Sequence, residues 1–526
     1  MTEPPTFRGR QLVVDGRAAL LLGGQLHNSV PSSSRHNESA VARVADMHAR
    51  LVIGSASWAQ VEPEEGSFDF STVDAQLDHA RAHGLRMALI WFGAFKNAGS
   101  TFAPGWVRSD PQRFPRAVIE KKGDIAWTYA GQTAKPVLSV FSPELRDADR
   151  RAFCSMMQHL ADHDADHTIV MVQVQNEVGL LGDSRDRCPL ALAAWDDLVP
   201  TPLVERLGMT AGSWEAVFGT GPEADEMFMA WAFADYCNDL ARAAKAIKPL
   251  PMYVNAWQGP QPGQPLPGDY PSGGPTVNVL DVWKVAAPSL DLLAPDIYLD
   301  DVKATLEAYA REDNPLFIPE ARFRTGALFY ALGHHHAVGF SVFGIDDGRP
   351  DSQLAQAYRL LGPLEEQIVS AQQESRIEGV LLEDERPEKV ALGGYDVTVR
   401  GTRDLLGRLM LDAGVQAPPE PPPMPSETLE GAIPEPGDER PFGLLIWEGD
   451  DTFLIVGQGL TVDFAHPEAE VELDHAEELL FEDGSWATGR VLNGDERLFV
   501  IPIDEIGAAR VRLLRFPLAP ERTTDE

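Results

Sequence analysis

Through its first two thirds the chain alternates short, continuously apolar runs with longer stretches whose apolar residues recur at helical spacing. The runs fall at 19–22, 51–53, 86–91, 169–175, 252–254, 292–297, 316–318 and 339–343. Unbroken apolar character, rather than alternation, is what a parallel strand covered on both faces requires. The stretches between them predict helices over 73–83, 142–159, 228–247, 301–311 and 352–371. Gly84 suits a helix C-cap, and Ser142-Pro143-Glu144 suits an N-cap followed by proline at the first helical position. Eight strand–helix repeats predict an α/β fold, a (β/α)8 TIM barrel. The rival is an open, doubly wound sheet. No Gly-x-Gly-x-x-Gly follows the first strand, and the chemistry lies at several strand ends; both points favour the barrel.

After about residue 372 the texture changes. GVLLEDE, KVALGGYDVTVRG, FGLLIWEGDDTFLIVGQGLTVDF, LLFEDGSWATG and RVRLLRF predict short strands joined by Gly/Asp turns. The expected organisation is therefore a barrel over 1–371 and a C-terminal antiparallel β-rich, sandwich-like domain over 372–526. A proline-rich acidic segment at 416–441 is expected to be an extended linker or loop, and the last nine residues are expected to fray. Two insertions, 180–225 and 258–276, follow strands four and five, on the face where barrels build their sites.

Composition narrows the function. Acidic residues number 80 and basic ones 44 among 526, a formal net charge of −36. Such a chain repels phosphate backbones, so neither nucleic acid nor an anionic membrane is expected as a partner. Cys154, Cys188 and Cys237 lie far apart, with no metal-type spacing and too few thiols for a disulfide framework. No apolar run is long enough to span a bilayer and the start has no apolar leader core, so the expected location is cytoplasmic.

The most informative stretch is IVMVQVQNEVG at 169–179, where a strand delivers Asn176 and Glu177 at its C-terminal end. In LFIPEAR at 316–322 another strand delivers Glu320. A closed barrel aims all its strand ends at one mouth, so these two carboxylates can face each other. Glycoside hydrolysis needs such a pair, one to protonate the departing oxygen and one to attack the anomeric carbon or activate water. Asn-Glu after strand four with a lone Glu after strand seven resembles clan A of the retaining glycoside hydrolases. LLLGGQLHNS at 20–29, SWAQVEPEEGSFDFS at 57–71 and Asn-Glu-Val-Gly at 176–179 resemble the β-galactosidase-like families 35 and 42. The nearest likeness is to a bacterial branch with its own β-rich C-terminal domain, which GLLIWEGDDTFLIVGQGLTVDF at 443–464 resembles.

The resemblance implies a retaining exo-glycosidase acting on terminal β-galactosides. Glu177 would be the general acid/base, Glu320 the nucleophile, and Asn176 a partner of the sugar 2-hydroxyl. Gln25 departs from the acidic residue expected at the end of strand one. Sugar hydroxyls need fixed polar partners and sugar faces stack on aromatic planes. Gln25, His27, Asn28, Glu62 and Asn255 at strand ends, with Trp58, Trp91, Phe92, Trp257, Tyr298 and Phe343, are the candidates. Core packing is the competing role for each aromatic, and a turn role for Glu62. Tyr298 is placed to reach the nucleophile with its hydroxyl.

Other clusters carry less. His159, His163 and His167 share helical spacing but straddle a predicted helix end. His334, His335 and His336 cannot all face one metal, and Asp346 and Asp347 form a turn pair. Lys121 and Lys122 read as solvated surface. No metal and no cofactor is expected. The expected partner is a β-galactoside or oligosaccharide, and a homo-oligomer is compatible with the sequence. Two alternatives stay open: the same mechanism on a glucoside, mannoside, xyloside or arabinoside, and a carbohydrate-binding protein without turnover.

Overall fold

The computed structural model describes residues 3–119, 137–384, 386–414, 437–438, 440–482 and 484–518. Most of the proline-rich segment, Lys121, Lys122 and all but the first residue of LAPERTTDE lie outside the described residues. The chain divides into two compact units. The first holds residues 1–45, 50–321 and 341–346, the second 46–49, 322–340 and 347–526.

Three short antiparallel strands (Thr6–Arg8, Gln11–Val14 and Arg17–Ala18) precede the barrel. The barrel strands are β1 (Leu21–Gln25), β2 (Leu51–Ser57), β3 (Arg86–Lys96), β4 (Ile169–Asn176), β5 (Met252–Ala256), β6 (Leu292–Ile297), β7 and β8 (Gly339–Phe343). β7 comes in two pieces, Phe317–Ile318 and Glu320–Ala321, because Pro319 between them has no N–H to give a ladder. The first piece neighbours β8 and the second β6, so the sheet order runs round and returns to the same strand. The pairings of β1 with β2 and onward to β6 are parallel. This is a TIM barrel, as the apolar runs predict. The residues of β2, β4, β5 and β6 are all buried, the signature of strands covered on both faces.

The helices relevant to the site are α1 (Pro143–His163) and α2 (Pro222–Lys245). The Ser142 hydroxyl caps α1 by accepting from the Leu145 N–H, and Pro143 fills the first turn. The insertion after β4 carries three further short helices, Pro189–Asp196, Thr201–Arg206 and Trp214–Phe218.

The second unit is built on two antiparallel sheets. One has six strands in the order 377–381, 442–449, 452–458, 507–517, 469–482 and 485–491; the other has three, 388–392, 395–401 and 460–465. Both contribute to one core, with Val397 and Val399 from the smaller sheet and Leu445, Phe453, Ile455 and Val511 from the larger. That agrees with the β-rich expectation. The division between the units falls elsewhere than at 371/372. Helix Thr325–Gly333 groups with the β-rich part because its Phe329 ring lies 4.8 Å from Phe442 and its Gly333 packs on Gly379 too closely for any Cβ.

Candidate active site

β4 ends at Asn176, and the next residue, Glu177, is held by its backbone: its N–H donates to Asn255 Oδ1 at 2.9 Å, across on β5. Asn176 Nδ2 reaches Glu320 Oε1 at 3.4 Å, joining the ends of β4 and β7. Both glutamates are buried. The Tyr298 hydroxyl, just past β6, donates to the other oxygen of Glu320 at 2.8 Å. Burial, then the neighbouring Glu320, pushes that phenol far above its ordinary value, so it stays a donor.

Backbone geometry at this mouth is strained. Gln175, Glu177, Asn97 and Ala98 all have positive φ, at 64°, 44°, 47° and 48°. For residues with a Cβ such conformations cost about 1–3 kcal/mol each and persist only where surroundings enforce them. Here the two strand ends tie each other: Asn97 N–H donates to Asn176 O and Ala98 N–H to Glu177 O.

Two charged groups at the site were not anticipated. Lys96, the last residue of β3, donates to Asn176 Oδ1 at 2.8 Å and to Asn97 Oδ1 at 2.5 Å, with its ammonium 4.7 Å from the Phe92 ring centre. Asp296 of β6 is fully enclosed and is the ladder partner of Glu320. Its Oδ2 accepts from Asn255 Nδ2 at 2.8 Å. Burial, reinforced by the charges of Glu320 and Glu177, holds Asp296 well above the usual carboxylate range. The available signal for each was an ionisable residue inside an otherwise apolar strand.

Of the proposed sugar contacts, Gln25 sits at the end of β1 with its side-chain Oε1 and Nε2 both buried and without a partner among the described residues. Asn28 Oδ1 is in the same condition. His27 is half-buried, pairs with Asp346 at 3.1 Å, and meets Phe343 edge-on at 5.2 Å. The His27 contacts outweigh burial and leave Asp346 below the ordinary carboxylate value. So Asp346 is a partner of His27 and not merely a turn residue. Trp257 and Phe343 are half-buried at the ends of β5 and β8. Asn255 clamps the site from below.

Four residues read from sequence as sugar contacts lie instead within the protein wall; one of them, Phe92, is buried against Phe102 with ring centres 4.7 Å apart. Trp91 is fully buried, packs on Phe153 and donates to Asp149 Oδ1 of α1 at 2.7 Å; strand alternation turns it toward the helix. Trp58 donates to Glu62 Oε2 at 2.9 Å. Glu62, fully buried, also takes the Gly66 N–H at 2.7 Å and faces Arg151 at 3.1 Å. Its oxygens organise the local turn.

Comparison with known proteins gives an independent bearing. Residues 31–207 match the family model described as beta-galactosidase (glycoside hydrolase family 42), and 354–501 match a domain family of unknown function, DUF5597. A stretch of 129 residues, 24% of this chain and 16% of the relative, is 26% identical to beta-galactosidase BbgII of Bifidobacterium bifidum. The beta-galactosidase of the psychrophile Marinomonas ef1 superposes with a TM-score of 0.44 and 16% identity, over 68% of this chain and 61% of that one. For the beta-galactosidase of the haloarchaeon Halorubrum lacusprofundi the values are 0.40, 19%, 62% and 52%. The chain thus spans less than two thirds of the length of each. It is similar to the β-galactosidases of family 42 in its barrel and carries a C-terminal β-rich part of a different description.

Proposed function

We propose that this chain is a retaining exo-glycosidase for terminal β-galactosides. The observation that carries the reading is the Asn176–Glu320 hydrogen bond, which sets the Asn-Glu pair of β4 beside a lone glutamate of β7. Glu177 gives its proton to the glycosidic oxygen while the Glu320 carboxylate attacks the anomeric carbon. A glycosyl-enzyme forms, and Glu177, now ionised, takes a proton from the water that releases the sugar. Tyr298 holds one oxygen of Glu320 and Asn176 Nδ2 the other, which together orient the carboxylate toward the anomeric carbon. Gln25, His27, Asn28, Trp257 and Phe343 are the proposed sugar contacts. The similarity of 31–207 to β-galactosidases supports the choice of sugar.

Trapping with a 2-fluoro-galactosyl fluoride, followed by peptide mapping, tests the assignment. The label is expected within 316–322; labelling elsewhere refutes Glu320 as nucleophile. A panel of aryl glycosides tests the sugar: the β-galactoside should have the highest kcat/KM, and a preference for gluco, manno, xylo or arabino substrates would overturn that part alone.

A further inference from the structure

Three carboxyl groups converge at the candidate site, and the third is the least satisfied. Asp296 Oδ2 accepts from Asn255, but Oδ1 is buried and meets no donor among the described residues. Two carboxyls stand against Asp296: Glu320, its ladder partner, and Glu177, which is within hydrogen-bonding reach and is tied to it through Asn255. An ionised carboxylate only accepts, so two of them make such a contact only when one carries a proton. The arrangement is fixed by the backbone. Asp296 is locked in the ladder opposite Glu320, and Asn255 holds both partners, taking the Glu177 N–H with Oδ1 and giving Nδ2 to Asp296.

We propose that Asp296 is a positioning residue for the acid step, sharing one proton with Glu177 so that the pair is loaded with that proton when substrate binds. This deepens the glycosidase reading and rests on it. In the first half-reaction the shared O–H bond breaks and the proton passes to the glycosidic oxygen as its bond to the anomeric carbon breaks. Both carboxyls of the pair are then ionised. In the second, the attacking water forms its bond to the anomeric carbon, the Glu320 ester bond breaks, and the proton lost by the water reloads the pair.

The groups that act on the pair come from all sides. Lys96 of β3 favours the ionised form of Asp296, and Glu320 of β7 disfavours it. The hydroxyls of Tyr298, Tyr253 and Tyr309 stay protonated, raised by burial first and by the nearby carboxylates second. Gln173 of β4 binds Asn255, and Ser341 of β8 is a buried hydroxyl without a partner among the described residues. The sign of the effect follows. Of two mutually repelling carboxyls, the last proton is held to higher pH than either alone would hold it; neutralising one lets the other release its proton earlier.

The test is an infrared titration of the protonated-carboxyl band in the full chain, run beside the pH dependence of kcat/KM on an aryl β-galactoside. In the wild type a band is expected to vanish where kcat/KM falls on the alkaline side. In Asp296→Asn both midpoints are expected to move down together by about one pH unit or more. Glu177→Gln supplies the same reading from the other partner, and serves if Asp296→Asn fails to fold: the band midpoint should again fall. An Asp296→Asn enzyme that loses rate evenly at all pH values, its alkaline limb unmoved, shows a purely structural role and overturns the proposal. So does a band unmoved in both variants. A wild type that turns over no glycoside yet shows the band shift would sink the glycosidase reading while leaving the shared proton standing.

Discussion

Two buried aspartates of the barrel, Asp149 and Asp296, have opposite surroundings. Asp149, on α1, is ringed by donors: Trp91 Nε1 at 2.7 Å, the Ala94 N–H at 3.1 Å, Gln175 Nε2 at 2.7 Å and the Tyr236 hydroxyl at 2.8 Å. Gly93 makes room for this set, since a Cβ there would collide with Trp91, Asp149 and Gln175. Burial pushes Asp149 upward, and the four donors push back. Among the described residues Asp296 has one side-chain hydrogen-bond donor, Asn255, and the charges of Glu320 and Glu177 act on it, opposed by Lys96. A buried acid saturated with donors is a rivet. A buried acid among acids is costly to the fold and is retained where a proton must be held and moved. The rivet also serves the mouth, because Gln175 accepts the Phe95 N–H at 2.9 Å and immediately precedes Asn176 and Glu177.

This contrast can be broken most directly at Glu320. Replacing it with Ala should lower kcat on an aryl β-galactoside by about 10⁴-fold or more, as for removal of a covalent nucleophile. The same variant leaves the Tyr298 hydroxyl and Asn176 Nδ2 without their acceptor, so it should also melt below the wild type; an initial-rate assay reads the first effect and a calorimetric scan the second. Next in size is Asp149→Ala, which orphans four buried donors. It should cost on the order of 4 kcal/mol in stability, read from the shift in urea midpoint. A midpoint unchanged from the wild type would show that the donors are satisfied otherwise. Smallest is Tyr298→Phe, which removes one hydrogen bond to a charged group. It should lower kcat about 10–100-fold, the kinetic equivalent of about 1.5–3 kcal/mol, and leave the melting temperature nearly unchanged.

Strand positions were readable because burial on both faces writes a strand as an apolar run. The edges were less so. Gly23 and Gly24 interrupt the first run, so 19–22 was expected where β1 spans Leu21–Gln25. The predicted helix 352–371 is two helices, Gln353–Leu361 and Glu365–Gln373, with a tighter turn at Gly362–Leu364 where Pro363 stands. Helix Thr325–Gly333 is buried all round and so shows no polar face by which to recognise it. At the site, Glu177 and Glu320 were legible as strand-end acids, whereas Asp296 hid inside LLAPDI as one polar residue in an apolar strand. Trp91 and Glu62 were misplaced because a linear sequence shows proximity to a strand end, not the side to which the chain turns.

The left-handed backbone at Gln175 has one further consequence. Glycine would adopt that conformation without penalty, yet glycine has no side chain to span Phe95 and Asp149. The position is therefore pinned between two demands, and neither can be relaxed alone. A lineage drifting toward greater heat resistance has no single-step improvement at 175, and tolerated variation there should be scarcer than burial by itself would lead one to expect.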